Sequence, residues 1–254
     1  MVIMSGKWKT DISKEGTVRG YKLDELINNL TFTEMIFLIL KGELPKKNEV
    51  KMMDAIFVSC VEHSIAPPSI TAARISASAG NPLNAAVAAG ILGIGDFHGG
   101  AIEASAKMMQ ENSGKDADQI VKEYRGQKKI LAGFGHKFYK DSDPRTIQLF
   151  KIAEENGIAG KHVKFAKELE KAIEKNLGKK LVMNVDGSIA AILSDMGFDW
   201  RLGKGFFVIP RVVGITAHVY EEMTKEKPFR RLSEEDVEYS GKEEKDLPKE
   251  FRRK

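Results

Sequence analysis

The chain has 254 residues, of which 42% are hydrophobic and 30% charged, with 23 glycines, 8 prolines and a single cysteine. That composition, at a mean hydropathy of -0.29, leaves room for one large domain or two small ones and excludes a disordered, collagen-like or disulfide-stapled chain. Forty basic against thirty-six acidic residues leave a net charge of +4, interspersed along the chain as on a solvated surface and not gathered into a nucleic-acid stripe.

No stretch approaches the roughly 18 apolar residues that a membrane span needs. The first ten residues, MVIMSGKWKT, show no charged n-region followed by an apolar h-region and a cleavage site, so the expectation is a soluble, cytoplasmic protein. Cys60, alone within DAIFVSCVEH, reads as a small buried hydrophobe and not a nucleophile, and a lone cysteine excludes a Cys-based zinc site.

Taken in chain order, residues 1–20 are polar and irregular. YKLDELINNL sets Leu23, Leu26, Ile27 and Leu30 at helical spacing. Thr31 and Glu34 form a capping box that starts a second helix, and Gly42 and Pro45 stop it. Asn48 is placed to cap a third helix through about residue 64, which Pro67-Pro68 breaks. Residues 69–93 are small and apolar, which predicts the densest helix-helix packing of the molecule or a subunit interface.

The segments AIEASAKMMQ, DADQIVKEYRGQKKIL and HVKFAKELEKAIEKNL space apolar residues three or four apart, as surface helices do. Asp143 and Pro144 are a cap and a first-turn proline for a helix ending near Gly157. LVMNV, at 181–185, is the best strand candidate. Pro210 should kink or start a helix within the apolar run after Gly205. From 227 to the end the chain is charged and aperiodic, which predicts an extended arm with a mobile tip. The fold class is mainly α.

Of the five histidines, at 63, 98, 136, 162 and 218, His98 and His136 stand in glycine-rich segments, Gly95-Asp-Phe-His98-Gly-Gly and Gly133-Phe-Gly-His136. There the backbone can turn sharply and its N–H groups can face a ligand. Such histidines either serve a site or fill holes between close helices. Asp186, within Asn184-Val-Asp186-Gly187, is either a helix cap or a carboxylate whose burial raises its pKa into the range useful for proton transfer. Together the three suggest acid-base chemistry.

Arg211, inside the apolar VIPRVVG, is costly to bury without an anionic partner, whether an internal carboxylate or a ligand. Arg145 is either a first-turn surface residue or a second anion-binding fork. His162 reads as solvent-facing. A metal site is disfavoured, since no HExxH spacing appears. No P-loop or dinucleotide-binding glycine pattern points to ATP or NAD.

With these residues in view, the chain resembles the citrate synthase superfamily over nearly its whole length. Arg19-Gly-Tyr21 and Gly42-Glu-Leu-Pro45, Phe97-His98-Gly-Gly-Ala, Gly133-Phe-Gly-His136 continuing to Asp143-Pro-Arg145, and Asn184-Val-Asp186 follow the family's motif order. The resemblance implies a multi-helical fold with a large dimerisation domain, 1–99 and 198–254, and a small coenzyme A-binding domain, 100–197. It implies that His98 holds the thioester oxygen while the enol or enolate forms and that Asp186 exchanges the methyl proton. His136 would serve the oxaloacetate carbonyl, or the citryl hydroxyl in reverse.

His63, in Glu62-His63-Ser64 where the family has Asp-His-Glu, would grip the di- or tricarboxylate with Arg145 and Arg211. A further arginine, Arg231 in preference to Arg230, would cross from the partner's arm. Leu131, Ala132, Gly133, Phe134 and Gly135 would supply part of the coenzyme A site. No permanently bound cofactor is implied, coenzyme A being part of substrate and product, and the protein would be a homodimer with shared sites, with a tetramer as a further option.

Only residues 46–62 separate Pro45 from His63, where citrate synthases place additional helices. This shortening, with Gly95-Asp96 and NVDG, resembles stand-alone citryl-CoA lyases and the C-terminal lyase module of ATP-citrate lyases. That module can lack the histidine at the position of His98, whereas this chain keeps one. The implied reaction is cleavage of citryl-CoA to acetyl-CoA and oxaloacetate, with a separate citryl-CoA synthetase as metabolic partner, since no ligase segment is present. The rivals are condensation, as in a citrate or 2-methylcitrate synthase, and a non-catalytic coenzyme A-binding paralogue. No nucleic-acid or membrane partner is expected.

Overall fold

The computed structural model describes residues 9–136 and 138–253, so most of the N-terminal decapeptide inspected for a leader lies outside the described residues. Eleven α-helices carry the described fold, as the periodicity predicts. They are α1 (Leu23–Asn29), α2 (Phe32–Lys41), α3 (Lys47–Cys60), α4 (Pro68–Ser78), α5 (Leu83–Leu92), α6 (Ala101–Asn112), α7 (Ala117–Gly126), α8 (Pro144–Glu155), α9 (Lys161–Leu177), α10 (Val185–Asp195) and α11 (Gly203–Lys225).

Local signals set many of the boundaries. Thr31 accepts from the Glu34 N–H while Glu34 Oε2 accepts from the Thr31 N–H at 2.7 Å, and Gly42 closes α2 in the left-handed conformation. Asp143 caps α8 with Pro144 at its first position. The Arg19 guanidinium donates through Nε and Nη2 to the Ile39 carbonyl at the end of α2, which gives the Arg-Gly-Tyr motif a structural task.

Several expectations are corrected. Residues 13–20, expected to be irregular, and 21–22, expected to open a helix, form a three-stranded antiparallel meander, Ser13–Lys14, Thr17–Val18 and Tyr21–Lys22, with Ser13 opposite Val18 and Val18 opposite Tyr21. Two-residue strands are too short to show alternation. LVMNV is not a strand; only an isolated bridge joins Met183 to Phe134. The cap of α3 is at Lys46, whose N–H donates to Glu49 Oε2, while Asn48 lies within the helix and donates to the Asn156 carbonyl.

His162 is buried, with Nδ1 3.0 Å from Asp195, whose carboxylate also accepts the N–H groups of Gly160, His162 and Val163. Its direction was misjudged because a first-turn side chain points back over the helix start, here onto the end of α10.

The helical stretch Trp200–Lys225 is long and apolar enough to cross a membrane by length and composition, contrary to the sequence expectation. Its position gives the apolar character another use. Helix α11 packs against α3, α4, α5 and α6 and buries Phe206, Phe207, Pro210, Arg211, Ile215 and Val219. Pro210 sits inside it and not at its start.

A large core joins α2, α3, α6, α7, α8, α9, α10 and the start of α11, and a smaller one, Ile70, Ala73, Ala77, Ala86, Ile215 and Val219, joins α4, α5 and the later part of α11. The small-residue stretch forms close packing, as expected. A Cβ at Gly90 would meet Ile215 at 2.8 Å, the Ser69 carbonyl at 2.9 Å and Ala73 at 3.0 Å. Gly90→Val should therefore destabilise the fold by about 1–3 kcal/mol through overpacking, read as a lower Tm; an unchanged Tm would show that these helices can move apart.

Candidate active site

Two glycine contacts bring the separate motifs together. Gly133 adopts φ +88°, and a Cβ there would lie 2.7 Å from the Gly187 Cα; a Cβ at Gly187 would lie 2.4 Å from the Gly133 carbonyl. The loop before His136 can therefore lie directly on the first turn of α10, where the Asn184 N–H donates to the Gly133 carbonyl, the Gly135 N–H to the Val182 carbonyl, and Asn184 Nδ2 to the Gly135 carbonyl. Asn184 is the cap of α10, accepting from the Gly187 N–H, so Asp186 is not needed as a cap.

These elements, the end of α3 and α11 enclose a cavity of about 220 Å³. His63, His98, His136, Arg145, Asp186 and Arg211 all line it, with Cys60, Phe97 and Phe207. Six residues singled out from sequence thus converge. Leu131 to Gly135 do not line this cavity; Leu131 and Phe134 pack against the large core.

Ser69, fully buried in the first turn of α4, lies with its hydroxyl 2.8 Å from His98 Nε2. Burial lowers the His98 pKa, and Arg211 and His63 add to the effect, so the ring is held neutral. A hydroxyl donating to Nε2 leaves the proton on Nδ1. The Gly99 φ of +83° and a backbone so close to Phe207 that a Cβ would sit 2.5 Å from its ring shape the turn bearing His98.

His136 Nδ1 accepts two backbone N–H groups, from Phe138 and Tyr139, both at 3.1 Å. Nδ1 is therefore unprotonated and the neutral ring presents Nε2–H, a donor. Its pKa is lowered chiefly by burial, with Asp143 opposing. The 3.4 Å approach of Arg145 Nη2 to Nε2 sets two donors against each other in that tautomer, and an oxygen between them would satisfy both.

Burial raises the Asp186 pKa; Arg145 and Arg211 oppose the rise and Asp143 reinforces it. Arg145 is no surface residue. Its Nε and Nη2 donate to Asp143 at 3.0 and 2.8 Å. Asp143, 1% exposed, also accepts from the Val185 N–H. Its carboxyl is held below the usual range: burial would raise it, but the Arg145 bonds prevail. Cys60 is an inert thiol, pushed up to about 11 by burial.

Arg211 is 3% exposed. Nε donates to the Cys60 carbonyl at 2.8 Å and the guanidinium lies 4.7 Å from the Phe207 ring centroid, while Nη1 finds no hydrogen-bond partner among the described residues. No carboxylate among the described residues pairs with it, which leaves the anionic-ligand reading.

The two arm arginines differ. Arg230 donates through Nε and Nη2 to Glu222 at 2.9 and 3.0 Å and pairs with Glu226 at 3.1 Å. Arg231 is exposed. Sequence reasoning missed Ser69 altogether, and it treated Asp143 only as a cap.

The family profile "Citrate synthase, C-terminal domain" matches residues 45–232, and the chain belongs to the citrate synthase family. The peroxisomal citrate synthase of Dictyostelium discoideum is 33% identical over 228 residues, covering 85% of this chain and 46% of the relative; the chain spans about half the length of the curated relatives it matches. Among solved structures, the citryl-CoA lyase of Hydrogenobacter thermophilus is similar with a TM-score of 0.93 and 54% identity, over 96% of this chain and 98% of that one. The ATP citrate lyase of Methanosaeta concilii shares the fold at TM-score 0.79 and 21% identity, over 96% of this chain and 43% of that one.

A raised native pKa makes the Asp186 charge a cost to folding. Stability from the protonated group is present at low pH and is lost as pH rises to the raised native value. Asp186→Asn removes that loss, so the variant should melt higher than the wild type at pH 8 and converge with it below pH 4; a variant that melts lower at pH 8 would refute the assigned shift.

Proposed function

We propose that the protein is a citryl-CoA lyase, cleaving citryl-CoA to acetyl-CoA and oxaloacetate by a reverse Claisen reaction. The observation that carries this reading is the convergence of His98, His136 and Asp186 with Arg145 and the buried Arg211, whose Nη1 has no partner among the described residues, on one cavity. Lyase is favoured over synthase by the similarity to the Hydrogenobacter thermophilus enzyme over 96% of this chain and 98% of that one, and by α3 being the sole helix between Pro45 and His63.

In the proposed mechanism Arg145, Arg211 and His63 hold the substrate carboxylates, with Arg231 of a second copy completing the grip. His136 donates Nε2–H to the tertiary alcohol oxygen. To take the hydroxyl proton at Nε2, the ring must first carry its own proton on Nδ1, which requires releasing the Phe138 and Tyr139 N–H groups; the hydroxyl proton then passes to Nε2 and the ring becomes an imidazolium.

As that proton leaves, the oxygen becomes the oxaloacetate carbonyl and the carbon-carbon bond breaks. The bonding pair passes into the thioester as an enolate, whose oxygen His98 meets with a neutral N–H donor. Asp186, whose proton affinity burial raises, delivers a proton to the carbon and yields acetyl-CoA. The elevated pKa suits this direction because the group must arrive as an acid.

The reading includes a cytoplasmic homodimer, with 1–99 and 198–254 as its larger unit, 100–197 as its smaller unit, and Leu131 to Gly135 contributing to coenzyme A binding. The separate small core of α4, α5 and α11 and the exposed Ile75, Leu83, Leu92, Val213 and Tyr220 on the same helices support the dimer. A separate citryl-CoA synthetase would supply the substrate. Arg230 is engaged by Glu222 within its own chain, which favours Arg231 as the crossing arginine.

Purified protein should cleave citryl-CoA, with Asp186→Asn and His136→Ala lowering turnover at least ~10²-fold. Stable citryl-CoA with rapid citrate formation from acetyl-CoA and oxaloacetate would establish a synthase instead. Arg231→Ala should lower kcat/KM by ~10²-fold and Arg230→Ala by less than ~10-fold; the reverse order would move the substrate contact to Arg230.

A further inference from the structure

His63 stands in the turn that follows α3 and lines the cavity, yet nothing in α3 itself determines where that turn goes. Three contacts with α11 do. Arg211 Nε donates to the Cys60 carbonyl at 2.8 Å. Gly214 leaves room for the next residue, since a Cβ there would lie 2.4 Å from the Val61 carbonyl and 2.6 Å from Glu62 Oε2. His218 Nε2 lies 3.1 Å from Glu62 Oε1.

Positions 211, 214 and 218 fall on one face of a helix. Residues 60, 61 and 62 are therefore docked in order along α11, and the next residue is His63. The turn then reverses through Ser64 at φ 68°, a strained conformation for a non-glycine residue that persists only where the surroundings enforce it.

We propose that Glu62 and His218 form a latch whose task is to position His63 against the substrate's carboxylates, so that both are positioning residues for the site. The inference rests on the proposed reading of His63 as a carboxylate ligand. Without the latch the backbone of residues 62–64 is secured to α11 only through Cys60 and Val61, and His63 sweeps a wider volume than a hydrogen bond tolerates.

Two further features agree. The Glu62 carboxyl is held below the usual range: burial would raise it, but His218 and the backbone N–H groups of His63 and Ser64 stabilise its charge, so the same carboxylate grips both the helix and the turn. His218 Nδ1 has no hydrogen-bond partner among the described residues and stands 3.7 Å from Glu221, which in turn meets Arg74 at 3.1 Å. The ring is thus bracketed by two carboxylates, and neither Glu62 nor His218 lines the cavity. The latch therefore touches the turn and not the ligand.

Binding of oxaloacetate to the full chain, measured by calorimetry, tests the latch without requiring turnover. His218→Ala should weaken binding ~10-fold, His218→Gln, which keeps a donor for Glu62, by less than ~3-fold, and the double variant His63→Ala/His218→Ala should bind no worse than His63→Ala alone. Effects that multiply in the double variant, a His218→Ala protein that binds as the wild type does, or a glutamine that fails to rescue would each overturn the proposal. If His218→Ala does not fold, Glu62→Gln substitutes for it: binding should weaken several-fold in the wild-type background and not in His63→Ala. Failure of wild-type protein to cleave citryl-CoA would refute the lyase reading alone, while absence of oxaloacetate binding by the wild type would overturn the assignment of His63 and the latch with it.

Discussion

The site depends on a contact made possible by two missing side chains. Gly133 and Gly187 bring the loop before His136 and the first turn of α10 to within backbone distance, where any Cβ would overlap the opposing chain. Because the peptide groups meet directly, they also bond, through Asn184 and Gly135. The separation of His136 from Asp186 is thereby set by main-chain geometry, which is stiff, and not by flexible side chains. A site that must carry a proton to one atom and support charge on another needs that stiffness.

Helix α11 is the second frame. It places the Arg211 guanidinium, which pairs with no carboxylate among the described residues, in the cavity, packs Phe207 beneath the glycine turn of His98, and holds the end of α3 in register. Its C-terminal half then binds the start of the arm. Glu222, 2% exposed, receives Arg74 Nε at 2.7 Å and two bonds from Arg230, while the N–H groups of Phe229 and Arg230 approach Ser78. Such a buried carboxylate costs desolvation that two guanidinium groups offset. The result is a defined exit direction for a charged segment whose composition alone would leave it unordered.

Much of this was legible in the sequence, for identifiable reasons. Thr31-Glu34 and Asp143-Pro144 are local signals with local causes, and they marked their helices correctly. His98, His136 and Asp186 stood out together, because glycines let backbone N–H groups and a side chain face one site, although close packing or capping would explain each alone. What could not be read was pairing across distance. Glu62 meets His218 from 156 positions away, and Ser69 is one serine among many small residues until the fold puts its hydroxyl on an imidazole. Asp143 was read as a cap, which it is, but its second task required knowing that Arg145 bends back over it. The two-residue strands and the direction of His162 failed for a different reason: periodicity averages over turns, and neither feature is long enough to average.

The charges around Asp186 have a consequence for how such a site works. Two arginines near a carboxyl ordinarily hold it ionised, and burial is the largest opposing influence. Asp143 changes the balance, because its bonds to Arg145 absorb part of one guanidinium's field and its own charge faces Asp186 as well. Arg211 has no such partner among the described residues, and its field favours the ionised Asp186 less strongly than that of Arg145. An anionic carboxylate bound at Arg211 would supply what Asp143 supplies at Arg145, and the smaller of the two influences favouring ionisation would weaken. By linkage, a ligand that neutralises Arg211 raises the proton affinity of Asp186, so the cavity becomes a stronger proton holder when it is filled.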